Sequence, residues 1–332
     1  MGDRARRSAR VCALFPLVAL LSRLHSAMST ALPAAAPPVA LITGGSKGIG
    51  RAIALAILKR GGNVCIVDID AKAGESFLAE LAPLGYDAKQ HALFCLCDVS
   101  DEAQFASAFA SCVRQFGYLT IVVNNAGIGD RTMITDEAAL NSDRMPPDWP
   151  RIINLNLTAL INGTRLALRH TRGNGQDCVV INVSSLGGLI GQPYSAVYCA
   201  TKHAVIGWTR SMGHLRKQGL RVNALCPGFT DTDLVSNATK DSPVFRSMIS
   251  SATRNSGGLL SVDDIAEGAL MIIDDKRMAG AVMSVSRELG FAIHTTPMLY
   301  PKVPGAEGGQ VAEEAKATAM PHRVIKPLRS RL

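Results

Sequence analysis

A buried strand that runs directly into a glycine turn and then a helix leaves a chain few folds to choose from. Val39-Ala-Leu-Ile-Thr43 is an unbroken apolar run of strand length. It leads into Gly44-Gly-Ser-Lys-Gly-Ile-Gly50, and residues 51–60 then read as a helix. Glycines let a backbone approach a pyrophosphate, and the start of the following helix offers N–H donors and partial positive charge. Gly44, Ser46, Lys47, Gly48, Ile49 and Gly50 are therefore candidate contacts for a dinucleotide.

The segments that follow repeat the alternation. Residues 61–68 read as a second strand ending in Asp68, 18 residues beyond Gly50. At that spacing a carboxylate meets the adenosine ribose hydroxyls and repels a 2′-phosphate. NAD is accordingly expected over NADP, with Ile69 next to Asp68 in the same site. Lys47 is an opposing signal, since a cation in the turn suits that phosphate; Asp68 outweighs it by touching the ribose directly. A helix over 71–82 and a third strand over 91–99 follow. Asp98 and Val99 at that strand's end are candidate cofactor contacts, Asp98 at the adenine ring; alternatively Asp98 caps the helix that begins near Ser100. A fourth strand, 119–127, ends in Asn125, Ala126 and Gly127, where small residues suit backbone passing close to a cofactor. This alternation predicts one doubly wound α/β domain with a mainly parallel sheet of about seven strands and its site at their carboxyl ends.

The second half carries the chemistry. Cys178-Val-Val-Ile-Asn-Val183 reads as a buried strand, and the stretch from Ser185 to Lys202 leads from it into a helical pattern. Tyr198 and Lys202 are four residues apart, hence one turn apart on one helix face. An ammonium near a phenol favours the phenolate, and this predicts a lowered Tyr198 pKa and a usable general base. A Tyr-x-x-x-Lys pair alone is usually a surface helix pair; here it follows a strand whose end supplies a hydroxyl that can share a substrate oxygen.

Together, the glycine turn from Thr43 to Gly50, Asn124-Asn-Ala-Gly127, Ser185, Tyr198-x-x-x-Lys202 and Pro227-Gly228 resemble the short-chain dehydrogenase/reductase family in order and spacing, over roughly residues 38–293. Within it, residues 181–189, 197–203, 223–229 and 278–283 are similar to those of NAD-dependent prostaglandin dehydrogenases. The resemblance implies a catalytic set of Asn156, Ser185, Tyr198 and Lys202. Ser185 is chosen over Ser184 because the family's serine precedes its tyrosine by 13 positions. Asn156 would hold a water in a proton relay, and Lys202 would also bind the nicotinamide ribose. Pro227, Gly228, Thr230 and Thr232 would pass the nicotinamide, and residues 233–258 would form a mobile lid. It also implies a homodimer or homotetramer built through the helices of Asn156 and Tyr198. The expected activity is NAD-dependent oxidation of a secondary alcohol on a lipid-like substrate, a hydroxy fatty acid or prostanoid. The alternatives are hydroxysteroid or 3-hydroxyacyl oxidation and, from another class, a non-catalytic NAD-binding scaffold or sensor. One departure bears on the substrate: where the prostaglandin enzymes place a Gln three residues before the tyrosine, this chain has Ser195, with Gln192 displaced along the loop. The polar stretch 128–148, with Pro146 and Pro147, reads as a surface insertion bordering the site.

The tails read differently from the core. Five arginines against Asp3 give residues 1–36 four net positive charges, and Arg323, Lys326, Arg329 and Arg331 give the last eleven residues four more. Together they account for the whole net charge of +8, so nothing points to a nucleic-acid surface. Residues 1–37 read as an extension whose apolar run, residues 11–21, is too short to span a membrane of about 20 residues. It suits an Arg-rich presequence directing the chain to the mitochondrion, and Met28 is an alternative start. The sequons at Asn156 and Asn182 fall inside the predicted domain, which argues against secretion. Residues 294–332 read as a flexible tail ending in Ser330-Arg331-Leu332, a variant of the peroxisomal address recognised by an import receptor; the cytoplasm is the remaining alternative. The eight cysteines include no Cys-x-x-Cys pair and read as reduced, buried thiols rather than a metal or disulfide framework.

Overall fold

The computed structural model describes residues 36–172, 177–241, 243–294 and 323–326. The first strand, β1 (Val39–Thr43), is buried at every position. Its side chains alternate between two cores: Ala40 and Ile42 face one, Val39 and Leu41 the other. A strand covered on both faces needs apolar residues throughout, which is why it reads as a continuous run. The turn then delivers the chain into α1 (Gly48–Lys59). The pattern continues through β2 (Asn63–Asp68), α2 (Ala71–Leu81), β3 (Ala92–Leu96), α3 (Glu102–Phe116) and β4 (Ile121–Asn124).

A long helix, α4, follows. It runs from Asp148–Ile153 through a π-turn at Asn154–Thr158 into Ala159–Thr171. Then come β5 (Cys178–Val183), α5 (Ala196–Ser211) and β6 (Leu220–Pro227). After these come α6 (Asp233–Asp241), α7 (Pro243–Ser256), α8 (Val262–Asp274), β7 (Val282–Ser286), β8 (Gly290–His294) and β9 (Arg323–Lys326). The sheet order is β3-β2-β1-β4-β5-β6-β7-β8-β9. Strands β1 to β7 pair in parallel, while β8 and β9 are added antiparallel at the edge. Helices α1, α2 and α8 pack on one face, α3 and α4 on the other. The order reverses between β1 and β4, which opens a crevice at the carboxyl ends of the strands.

Three regions depart from the sequence reading. Composition makes 294–332 a flexible tail, but Arg323–Lys326 pairs with β8; the targeting tripeptide, like residues 1–35, lies outside the described residues. Residues 233–258, polar and weakly periodic, form two helices with Leu234, Val235 and Phe245 turned into the crevice. The helix after β3 is capped by Asp101, whose carboxylate accepts from Ala103 N and Gln104 N, not by Asp98. Asp98 instead closes a local turn by accepting from Ser100 N and Oγ at 2.9 and 2.6 Å. The seven described cysteines are all unpaired, and Cys12 lies outside the described residues. Asn182 is fully buried and Asn156 is 1% exposed, so neither sequon can carry a glycan in the folded chain.

One buried charge holds the far side of the sheet together. Arg221 on β6 donates to the carbonyls of Ile272, Ile273, Asp275 and Met278 at 3.0–3.2 Å. The last carbonyls of α8 have no partner within their own helix and carry its negative dipole end, so a guanidinium satisfies both needs. The other end of α8 is closed by a reciprocal capping box of Ser261 and Asp264. Arg221→Met should therefore lower unfolding stability by about 2–4 kcal/mol, read from the denaturant midpoint, because it strands several buried acceptors at once. A midpoint unchanged from wild type would show that α8 does not depend on this cap.

Candidate active site

The acid–base end is built where β5 meets α5. Beyond Val183 the chain passes Ser184 and Ser185 into a tight turn at Leu186–Gly188, where Ser185 Oγ accepts from Gly187 N at 3.0 Å. Helix α5 is bolted to this strand end by two bonds running in opposite senses. Lys202 Nζ donates to Val183 O at 2.9 Å, and Ser184 Oγ donates to Lys202 O at 2.9 Å. Gly188 makes the close approach possible, since a Cβ there would stand 2.6 Å from both Lys202 O and Ser184 Oγ. Ser184 thus serves the scaffold, and Ser185 is left to line the cleft beside Tyr198. The Lys202 ammonium lies 5.4 Å from the centre of the Tyr198 ring.

The ionisation of this pair differs from the sequence expectation. Burial pushes the Tyr198 phenol up to about 12, with the Ser185 hydrogen bond pulling weakly the other way. Burial also draws Lys202 down to about 8. Adjacency of a cation predicts a lowered phenol, but in a dry pocket desolvation penalises every charged form and outweighs the single neighbour. Each shift follows from burial, and of the two groups the ammonium gives up its proton first.

Asn156 sits in the π-turn of α4, a local widening of the kind often found at functional positions. Its Oδ1 accepts from Ile128 N and its Nδ2 donates to Ile128 O, both at 2.9 Å, with a longer bond to Thr201 Oγ1. A Cβ on Gly127 would lie 3.1 Å from Asn156 Oδ1 and 3.5 Å from Lys202 Nζ, so these groups share one small volume. Asn154, two residues earlier, is exposed.

Sequence reasoning missed Asp130. Ser195 at the start of α5 makes no side-chain cap. The first-turn amides are met from 67 and 68 residues away, Val197 N by Asp130 Oδ2 at 3.0 Å and Tyr198 N by Asp130 Oδ1 at 2.7 Å. Burial raises this carboxyl, with both backbone bonds opposing. The 128–148 segment is thus tied into the site rather than merely bordering it. No local signal in the sequence marks a cap supplied at such a distance.

The cofactor side is pre-shaped. Gly44 and Gly48 adopt φ of +59° and +52°, and a Cβ on Gly50 would collide with Gly44 O. Thr43 Oγ1 accepts from Asn125 N and Ala126 N at 2.9 and 3.1 Å, while Asn125 Nδ2 donates to Thr43 O and Gly44 O, so the end of β4 is laced to the turn. Ser46 N donates to Asp68 Oδ2 at 3.0 Å, placing the carboxylate at the turn. Ser46 Oγ is buried without a partner among the described residues, as expected of a hydroxyl awaiting a phosphate. Lys47 pairs at the surface with Asp70 at 2.7 Å, while Asp68 faces the turn itself and favours NAD. Ile69 is exposed beside Asp68, whereas Val99 is buried. Over the turn, Thr232 Cγ2 would lie 3.3 Å from a Cβ on Gly48, and Thr230 Oγ1 and Thr232 Oγ1 donate to Gly228 O and Thr230 O. The residues present fit an NAD molecule with its adenosine end at Asp68 and its reactive end toward Lys202.

These parts open onto a cleft of about 740 Å³. Ser185, Tyr198, Lys202 and Pro227 lie in its lining, and both Gln192 and Ser195 reach it, so the displaced amide still faces the site. The short chain dehydrogenase family profile matches residues 38–243. The chain belongs to the short-chain dehydrogenase family. It is 35% identical over 262 residues to "15-hydroxyprostaglandin dehydrogenase [NAD(+)]" of Mus musculus, covering 76% of this chain and 91% of that protein. It is 32% identical over 248 residues to "3beta-hydroxysteroid dehydrogenase 2" of Eggerthella lenta, covering 74% and 90%. It superposes on a 3-ketoacyl-(acyl-carrier-protein) reductase from Brucella melitensis complexed with NADH at a TM-score of 0.64 and 33% identity, over 75% of this chain and 97% of that one. As a short-chain dehydrogenase it is an NAD-dependent oxidoreductase acting on CH–OH groups.

If Asp130 holds the catalytic helix in place, Asp130→Asn should reduce kcat about tenfold while NAD affinity stays near wild type, because one amide of α5 loses its acceptor. The accompanying stability loss should be about 1 kcal/mol, as for other lost caps. Steady-state kinetics, fluorescence titration with NAD and thermal unfolding of the same preparations test this; an unaltered kcat would remove Asp130 from the site's machinery.

Proposed function

We propose that the chain oxidises the secondary alcohol of a lipid-like molecule, a hydroxy fatty acid or prostanoid, to the ketone. The observation that carries this reading is the cleft itself, in which Ser185 and Tyr198 share the lining with the apolar side chains of Met133, Ile190, Leu234 and Phe245. An elongated apolar substrate would bury its chain there and present one hydroxyl to the paired oxygens. Ser185 and Tyr198 hydrogen-bond that hydroxyl and orient its carbon. Tyr198 relays the proton, its oxygen accepting the substrate's proton as its own passes toward Lys202, whose lowered pKa frees its amine to accept one, and Asn156 lines the route by which the proton leaves. NAD, when bound, supplies the hydride acceptor.

Similarity to a 3beta-hydroxysteroid dehydrogenase makes a steroid alcohol the second reading, and the 3-ketoacyl reductase likeness makes a 3-hydroxyacyl substrate the third. A non-catalytic NAD sensor would have no use for the complete set Asn156, Ser185, Tyr198 and Lys202. Assembly as a homodimer or homotetramer through α4 and α5 is supported by membership of a family whose members often oligomerise. Delivery to the peroxisome through an import receptor reading Ser330, Arg331 and Leu332 is supported by the tripeptide and its basic context.

NADH formation, measured across a prostanoid, hydroxy fatty acids, a steroid alcohol and a 3-hydroxyacyl thioester, ranks these readings. A lipid alcohol should turn over with NAD in preference to NADP. Tyr198→Phe should lower the rate by about 10²–10⁴, the span of a lost general base, with NAD still bound. Full activity in Tyr198→Phe, or turnover of the steroid alone, would contradict the proposal.

A further inference from the structure

The 128–148 segment carries a cation that the proton chemistry does not use. Arg131 lines the cleft, directly after the Asp130 that caps α5. Its backbone is firmly mounted. Arg131 N and Thr132 N both donate to Asp148 Oδ2, at 3.1 and 3.0 Å, and Trp149 Nε1 donates to Thr132 O at 3.0 Å. The guanidinium is the opposite case: it is exposed and makes no hydrogen bond or ion pair among the described residues.

The other charges of the lining are already engaged. Asp130 is taken by the amides of Val197 and Tyr198, and Asp136 accepts from Met133 N at 2.6 Å. Lys202 is buried and turned to Val183 O. Arg131 is thus the one cation lining the cleft that is left without a partner among the described residues. A surface arginine on a loose loop would need no explanation, but this loop is fixed by three hydrogen bonds around the very residue whose side chain has none among the described residues. Holding a backbone still removes much of the ordering cost a ligand would otherwise meet. A guanidinium presents a planar fork that matches a carboxylate with two parallel hydrogen bonds.

We propose that Arg131 is the anion anchor of the substrate site, and that the substrate is an amphipathic alcohol with a carboxylate or comparable anion at one end. Its apolar body lies between Met133, Ile190 and Phe245, and its hydroxyl meets Ser185 and Tyr198. The hydroxyl's placement rests on the alcohol-oxidising reading above; the anion's placement does not. Arg131 selects the substrate by charge rather than by taking part in the chemistry.

Two probes without a secondary hydroxyl, decanoate and decanamide, separate the two claims because neither is oxidised. The NAD-saturated full chain, titrated calorimetrically, should bind decanoate about tenfold more tightly than decanamide, a difference of about 1.4 kcal/mol. Arg131→Gln should erase that preference, and Arg131→Lys should keep part of it, with melting temperatures confirming that all three proteins are folded. Equal binding of acid and amide by the wild-type chain, or a preference that survives Arg131→Gln, would overturn the proposal. If decanoate is preferred through Arg131 and yet hydroxydecanoate yields no NADH, the anchor stands and the lipid-alcohol reading falls.

Discussion

The site depends on a reciprocal latch between a helix and a strand end. Lys202 gives its ammonium to the Val183 carbonyl, and Ser184 gives its hydroxyl to the Lys202 carbonyl. Because Tyr198 is one turn back along α5 and Ser185 one residue beyond Ser184, the latch brings both residues to the lining of one cleft. The latch also sets their chemistry. Burying the ammonium is costly, so Lys202 is drawn down to about 8, and the same dry surroundings push Tyr198 up to about 12. Structure and acid–base behaviour come from one act of packing.

Around that fixed point the remaining contacts work by holding elements in register. Asn124 donates to Asn182, and Asn182 to Thr209, at 2.9 and 3.0 Å, which lays a chain of buried amides from β4 through β5 to α5. Its bonded links hold the helix in register with the sheet, while Asn124 Oδ1 at its β4 end has no partner among the described residues. Asn156 does the same for the loop after β4, and Asp130 for the first turn of α5. The 128–148 segment, an apparent surface insertion, therefore shapes both the catalytic helix and the rim of the substrate cleft. Variation among relatives in this segment would change substrate preference while leaving proton transfer intact.

Much of this was legible in the sequence because the signals were either periodic or local. Val39–Thr43 and Cys178–Val183 read as strands because they are buried on both faces, and the glycine turn declares itself by positions where a side chain has no room. The Tyr198–Lys202 pairing follows from helix geometry alone. What was not legible depended on distance or on net balance. No local pattern foretells that Asp130 caps a helix 67 residues later, or that Lys47 is spent on Asp70. The direction of the Tyr198 shift is not legible because adjacency of a cation is visible in sequence and desolvation is not. The helices α6 and α7 were hidden because their few apolar residues face a cleft rather than a continuous core.

That burial makes the lysine, not the tyrosine, the first of the two to lose its proton can be tested directly. The full chain with carbon-13-labelled lysine would be titrated by NMR, with the Lys202 signal assigned by its loss in Lys202→Ala. The ε-carbon resonance of Lys202 should titrate near pH 8, well below the ordinary lysine value of 10.5, while Tyr198 stays protonated through that range. A Lys202 that titrates at the ordinary value, with Tyr198 ionising before it, would show that the cation and not the dry pocket governs the site.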